Sequence, residues 1–246
     1  MSLPVHWVPL LGGAAVGATV EVTGDEAHHA VAVRRLRVGE TVVLTDGLGR
    51  SVTGAVATTG KRVFAVTVSS VVDTPPPTPS VTVVQAIPKG DRGELAVGIL
   101  TEVGVARIVP WAASRSVAVW KGERAAKSLA RWRTTAREAS KQARRSWFAE
   151  VGDLATTADV VGLVSRADLA VVLHEAASDG LAALDPAGSE VLLVVVGPEG
   201  GLSDDEVAAF ETAGAHVVRL GSEVLRTSTA GVAAVAALLS RTSRWR

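Results

Sequence analysis

The sequence predicts an α/β fold preceded by a small β domain, and three observations carry that expectation. Thr74-Pro75-Pro76-Pro77-Thr78-Pro79 is a stiff extended segment in which neither a helix nor a central strand persists, so residues 74–80 read as a linker between domains at 1–73 and 81–246. Ahead of it, short runs rich in valine and threonine alternate with turn residues, the pattern of a small β-barrel. Behind it, apolar runs of strand length alternate with helical patterns, which predicts a parallel sheet with crossover helices.

In the first domain the strands are Thr19–Val22, Thr41–Thr45, Val52–Ala57 and Val63–Val68, with Asp46-Gly47-Leu48-Gly49 as a hairpin turn and a short helix near His28–Leu36. In the second they are Val81–Ala86, Arg107–Pro110, Leu169–Leu173, Val191–Val196 and Val217–Leu220. A helix is predicted from about Glu123 to Trp147. At about 100° per residue, Leu129, Trp132, Ala136, Ala139, Ala143 and Trp147 share one narrow arc, while Lys127, Arg131, Arg137, Lys141, Arg144 and Arg145 fill a broad arc away from it. One face packs. The other is a solvated surface or a phosphate-binding one, and six cations with no acid among them favour nucleic acid.

Val191–Val196 runs into Gly197-Pro198-Glu199-Gly200-Gly201-Leu202-Ser203, and Ser203 with Glu206 reads as a capping box opening the next helix. A glycine turn at the carboxyl end of a parallel strand lets a ligand approach the backbone, but as a pattern alone it is more often a purely structural turn. It matches neither the P-loop nor the dinucleotide fingerprint. A second polar loop, Leu220-Gly221-Ser222-Glu223-Val224-Leu225-Arg226-Thr227-Ser228-Thr229-Ala230, places Arg226 at the mouth of a helix that is almost entirely Ala, Val and Leu through Leu239. A helix apolar all round is buried within its domain or against a second subunit.

Composition narrows the function classes. The 246 residues are 48% hydrophobic and 20% charged, a globular balance. The absence of cysteine excludes disulfide scaffolds, cysteine-zinc sites and thiol nucleophiles, and fits a reducing compartment. The five histidines are scattered, and adjacent His28 and His29 point apart on a helix, so no metal is expected. Ala230–Leu239 is half of the roughly 20 residues a bilayer span needs, and no Lys or Arg precedes the apolar stretch at Val8–Ala18. No membrane span and no secretory signal are expected, and the cytoplasm is the default location. The net charge of zero hides segregation: residues 121–150 hold nine Lys or Arg against three acids, and residues 151–210 hold eleven acids against Arg166 alone.

The two loops at 197–203 and 220–230 together resemble the signature loops of the SPOUT-class RNA methyltransferases, and within that class the ribosomal RNA small subunit methyltransferase E family. The likeness extends through His28-His29 with Val33-Arg34-Arg35-Leu36, then Lys89-Gly90-Asp91-Arg92, Thr101-Glu102-Val103-Gly104-Val105, Ser114-Arg115-Ser116, and Arg131-Trp132 with Glu138-Ala139-Ser140-Lys141-Gln142. Two positions depart from the family pattern: Ser228 stands where many relatives carry Glu, and Ile99 where many carry Lys.

The resemblance implies a PUA-like RNA-binding barrel, a SPOUT α/β domain with a C-terminal trefoil knot, S-adenosylmethionine as methyl donor, a homodimer, and methylation of N3 of the uridine at position 1498 of 16S rRNA in the small ribosomal subunit. The knot is expected from the resemblance alone, since chain topology rules disfavour knots. Carried onto this chain, the cofactor residues are Leu173, His174, Gly197, Pro198, Glu199, Gly200, Leu220, Gly221, Val224, Leu225, Arg226, Thr227, Ser228 and Ala230, with Arg226 also catalytic. The RNA-binding residues are His28, His29, Arg34, Arg35, Lys89, Arg92, Arg115, Arg137, Lys141, Gln142, Arg144 and Arg145. The rivals are a related enzyme acting on another RNA site, a non-catalytic RNA-binding protein of ribosome assembly, and an ordinary nucleotide-binding α/β enzyme. The last would leave the basic helix without a purpose.

Overall fold

The structure, a computed structural model, describes residues 3–245. The chain forms two compact units. One holds the residues up to Pro76 together with Lys141–Phe148, and the other holds Pro77–Ser140 with the chain from Ala149 onward.

In the first unit, β1 (Val5–Trp7), β2 (Thr19–Thr23), β3 (Thr41–Thr45), β4 (Arg50–Gly60) and β5 (Val63–Asp73) form one sheet in the order β1-β3-β4-β5-β2. Only β1 and β3 pair parallel; the other pairs are antiparallel. Val42, Leu44, Val52, Val56, Phe64, Val66 and Val68 turn inward at alternate positions and make the core. β4 and β5 each run 11 residues, with register shifts at Thr53/Gly54 and Val56/Thr58. Bulges of this kind bend a long hairpin around its own core. Among the described residues no pairing joins β2 to β1, so the expected barrel is open along one seam. The helix α1 (Gly24–His28) continues as a π-helical turn over His29–Val33, and so begins four residues before the predicted start.

The second unit is built on six parallel strands in the order β11-β9-β10-β6-β7-β8: β6 (Ser80–Ala86), β7 (Arg107–Trp111), β8 (Glu150–Val151), β9 (Leu169–Leu173), β10 (Val191–Val196) and β11 (His216–Val218). β10 explains why such a strand is apolar throughout. Leu192, Val194 and Val196 join the core formed with α2 (Arg92–Glu102), α3 (Gly122–Gln142) and α6 (Thr227–Leu239). Leu193 and Val195 join the opposite core with α4 (Thr157–Val164) and α5 (Asp204–Thr212). Both faces of the sheet are therefore covered.

The long basic helix ends earlier than its periodicity predicts. α3 stops at Gln142, and Arg144 adopts φ +53°, outside the helical region. From there the chain runs against the hairpin turn of the first unit: Gly49 N donates to Ser146 O at 2.9 Å, Phe148 N to Gly47 O at 2.9 Å, and the Trp147 indole to Thr74 O at 2.8 Å. These partners give Trp147 and Phe148 contacts that another helical turn would not. Ala143 and Trp147 consequently leave the predicted apolar arc, whose buried members are Trp132, Ala136 and, in place of Ala139, Ser140. Residues 141–148 thus group with the first unit rather than with an uninterrupted domain at 81–246.

Candidate functional site

The sheet register brings the two sequence-marked loops and a third together. Leu173, the last residue of β9, pairs with Val196 on one side and Val218 on the other. The segments starting at His174, Gly197 and Arg219 therefore leave one end of three adjacent strands, the carboxyl end, where parallel sheets present ligand sites.

The 197–203 loop is fixed from beneath by side chains and backbone. Gly201 N closes a turn on Pro198 O at 3.0 Å, with Gly201 at φ +72°. Ser203 caps α5: its hydroxyl accepts the Glu206 N–H, and Glu206 Oε2 accepts the Ser203 N–H at 3.0 Å. Glu206 Oε1 also accepts the Ser114 N–H at 2.8 Å, so the one carboxylate that completes the predicted cap also ties the loop to residues 113–116. Burial pushes the Glu206 carboxyl up, the N–H groups of Ser203 and Ser114 outweigh it, and the net direction is below the ordinary carboxylate value.

Three residues expected at the RNA surface also hold this loop, Arg115 and Arg92 through their side chains and Lys89 through its backbone alone. The Arg115 guanidinium donates to Leu202 O at 2.8 Å; the Lys89 backbone N–H and the Arg92 guanidinium reach Glu199 Oε1 at 3.2 and 3.4 Å. A Cβ at Gly200 would lie 2.8 Å from Arg115 O, so the glycine is required by the close approach of a neighbouring backbone, independently of any ligand.

The 174–181 segment brackets the end of β11. His174 N donates to Val218 O, Arg219 N to Asp179 O, and Leu181 N to Arg219 O, each at 2.9 Å. The His174 ring is turned inward on its own loop, with Nδ1 accepting the Ala176 N–H at 3.2 Å.

Residues 220–226 are different in kind. Among the described residues, none of Gly221, Ser222, Glu223, Val224 and Leu225 has a hydrogen-bond partner, and Val224 is 74% exposed. This run of backbone donors and acceptors is open to a polar ligand, with apolar side chains beside it. Arg226 occupies the N-cap of α6, exposed, and its guanidinium has no partner among the described residues. Thr227 and Ser228 follow with buried side chains, and Ala230 N bonds back to Arg226 O at 2.9 Å.

The residues expected to bind RNA divide by environment. His28, His29, Arg34, Arg35, Gln142 and Arg144 are exposed on the first unit. Lys141 is not available for phosphate: its ammonium lies 2.9 Å from Glu26 Oε2, with the two side chains only 11% and 13% exposed. Glu26 Oε1 meets His6 Nδ1 at 3.2 Å, completing a nearly buried cluster of three residues distant in sequence. Burial pushes the Glu26 carboxyl up, but hydrogen bonds and charge from His6 and Lys141 prevail and lower it from the ordinary 4.5 to about 2. Arg145 donates to Trp147 O at 2.8 Å, Arg137 lies 3.7 Å from Glu138, and Arg131 lies 3.6 Å from Glu94. The cationic face is therefore less bare than its sequence pattern suggests, although exposed pairs of this length are weak. The sequence signal for Lys141 is faint: it directly follows Ser140 in the buried row 132, 136, 140.

Among the described residues no group of His, Asp or Glu has the arrangement of a metal site, and no helix is long and apolar enough to cross a membrane.

Comparison with known proteins gives this arrangement its class. Residues 74–239 match the RNA methyltransferase domain family and residues 22–68 the RNA methyltransferase PUA domain family, so the fold is that of an RNA methyltransferase with a PUA domain. The chain is 44% identical over 233 residues to ribosomal RNA small subunit methyltransferase E of Mycobacterium bovis, covering 93% of this chain and 89% of that protein. It is 29% identical over 233 residues to the Bacillus subtilis protein of the same name, covering 91% of each. The chain belongs to the ribosomal RNA small subunit methyltransferase E family.

Among solved structures, it is similar to a methyltransferase from Legionella pneumophila in complex with the bound cofactor SAM, with TM-score 0.90, 26% identity, and coverage of 98% of this chain and 99% of that one. It is also similar to the ribosomal RNA small subunit methyltransferase E of Neisseria gonorrhoeae bound to S-adenosyl methionine, with TM-score 0.86, 27% identity, and coverage of 97% and 98%.

Proposed function

We propose that this chain methylates N3 of the uridine at position 1498 of 16S rRNA, using S-adenosylmethionine held at the carboxyl ends of β9, β10 and β11. The observation that carries the reading is the convergence of three loops there, one of them, at 221–225, with its backbone groups unpaired. That run suits the polar edge of an adenine, and Val224 and Leu225 suit its faces. Leu173, His174, Gly197–Gly200, Leu220, Gly221 and Thr227–Ala230 surround the same end, with Thr227 and Ser228 shaping it from within rather than from the surface. The bound cofactor supplies an already activated methyl group, so the protein's part is alignment and charge stabilisation. Arg226 donates to a uridine carbonyl and stabilises the anion left when N3 loses its proton.

Calorimetric titration with S-adenosylmethionine tests the cofactor reading. Gly200→Val should weaken that binding roughly tenfold or more, because the new side chain drives the 197–202 loop off Arg115. Normal affinity in a folded Gly200→Val protein would remove this loop from the site.

The RNA is held by exposed cations, and Arg34, Lys127 and Arg144 carry the expectation once Lys141, paired with Glu26, and Arg131, paired with Glu94, are set aside. Changing these three to Gln should weaken binding to small ribosomal subunits and lower the salt slope by roughly one unit for each phosphate no longer neutralised, leaving cofactor affinity intact. An unchanged slope would make them a solvated surface.

The enzyme works as a homodimer in the cytoplasm, where its ribosomal substrate is. Its α6 buries Gly231, Ala234, Val235, Leu238 and Leu239 inward and leaves Ala230, Val232, Ala233 and Ala236 only partly covered, which supports a subunit contact. The trefoil knot belongs to the same reading, supported by the bracketing of residues 218–219 by both ends of the 174–181 segment.

A further inference from the structure

Beside the cofactor-loop cluster, the second unit has a cleft of about 80 Å³ where the chain leaves β6. Its lining includes Trp120, Trp132, Ser128, Asp91, Glu94 and Arg131. Val196 pairs with Gln85, so the segments that follow β10 and β6 leave neighbouring strands at the same end of the sheet. They are also joined directly, through Lys89 N and the Arg92 guanidinium on Glu199.

Three properties of the cleft narrow what it accepts. Its wall is aromatic: Trp120 and Trp132 meet edge to face at 5.0 Å, Trp132 is nearly buried, and Trp120 remains partly exposed. A partly exposed indole beside an RNA-directed site offers a stacking surface for a splayed base. Its charges oppose a phosphate, because Glu94 already occupies Arg131 at 3.6 Å and Asp91 adds a second carboxylate. Third, the Asp91 carboxylate makes no hydrogen bond among the described residues, although it heads α2, where such a side chain commonly caps the helix. An ionised carboxylate only accepts hydrogen bonds. It therefore favours bases that present a ring N–H, uracil at N3 and guanine at N1, over cytosine and adenine, which present a lone pair there.

We propose that this cleft seats the target base against Trp120 and that Asp91 is the proton acceptor for its ring N–H. The inference rests on the methyltransferase reading above and supplies the base that Ser228, standing where many relatives carry Glu, does not. The step is a proton transfer: the N3–H bond breaks, its electron pair stays on N3, and the proton passes to an Asp91 carboxylate oxygen and then to solvent. The other charged groups lining the cleft are Glu94, on the helix that Asp91 heads, and Arg131, on α3; Lys89 and Arg92 flank Asp91 in sequence, the latter engaged with Glu199.

The test compares the full-length protein with Asp91→Asn, using small ribosomal subunits from cells lacking the modification. Single-turnover methyl transfer at neutral pH should fall about 10²-fold or more, the scale for losing a general base. The wild-type plateau over neutral pH should become a rise of about tenfold per pH unit in the variant, because only pre-ionised base then reacts. Affinities for cofactor and for subunits should stay within about threefold. A readout without cofactor accompanies this: 5-iodouridine placed at the target position and irradiated should cross-link to Trp120 in both proteins. A folded Asp91→Asn protein with near-normal rate and an unchanged pH profile would overturn the proton acceptor, and cross-links confined to other residues would overturn the seat. If the wild type itself transfers no methyl group to these subunits, the methyltransferase reading fails rather than this one.

Discussion

Arg226→Ala should lower single-turnover methyl transfer to small ribosomal subunits by roughly 10² or more, the scale for removing one preorganised donor to a developing anion. The argument is one of position. Arg226 sits at the N-cap of α6, exposed, with no acid or carbonyl engaging its guanidinium among the described residues. It follows directly on the unpaired run 221–225, and the buried Ser228 two residues later offers no carboxylate to neutralise it. Its removal should therefore leave the fold and the cofactor affinity almost unchanged while the chemical step slows. Raised pH should partly rescue the variant, because a uridine that is already ionised needs less stabilisation. A loss confined to subunit binding would demote Arg226 to substrate positioning.

Glu26→Ala should destabilise the first unit by about 3–5 kcal/mol, the range for removing one partner of a buried ion pair. The substitution strips the main counter-ion from a Lys141 ammonium whose side chain is 11% exposed, next to the buried His6. Because Lys141 belongs to the segment that packs with β1–β5, the loss should release residues 141–148 from that unit. Trp7 and Trp147 report it by fluorescence in a denaturant titration. The pH dependence has a definite sign. The Glu26 carboxyl titrates at about 2 in the folded protein instead of 4.5. Its stabilisation is therefore complete above about pH 4.5 and is lost as the pH falls toward 2. Glu26→Gln should flatten that acid limb, and a wild-type acid limb identical to that of Glu26→Gln would contradict the assignment.

How far the sequence reaches depends on whether a feature is local. Leu169–Leu173 and Val191–Val196 are strands buried at all but one end residue each, and their wholly apolar runs bound them. The Ser203–Glu206 cap is legible for the same reason: both partners lie within one helical turn. β1 escapes a sequence reading because three residues, Val5–Trp7, carry no period, and their pairing with Val43–Thr45 is set by a partner far along the chain. The end of α3 is misplaced by periodicity because apolar spacing continues through Ala143 and Trp147, whereas the decisive bonds come from Gly47, Gly49 and Thr74.

The site divides in the same way. The two loops stand out by their glycines and polar residues, but the partners of the Lys89 backbone and of the Arg92 and Arg115 side chains, Glu199 and Leu202, lie about a hundred residues away. A basic residue in the sequence shows its charge and not its partner, and Lys141 is the clearest instance: charge patterning assigns it to RNA, and three-dimensional contact assigns it to Glu26. Asp91 stands in one of the motifs that carry the resemblance, but the sequence assigns it no role, since only the structure shows its side chain unbonded at the head of α2.

The central claim is that this chain transfers a methyl group to one uridine of the small-subunit RNA. Small subunits from cells lacking the modification would be incubated with the purified protein and S-adenosylmethionine carrying a labelled methyl group, and the RNA then digested and mapped by mass spectrometry. The account predicts a single labelled nucleoside, N3-methyluridine, at position 1498 of 16S rRNA, formed only when protein and cofactor are both present. Label at another nucleotide, or no label with subunits that a known family member does modify, would contradict it.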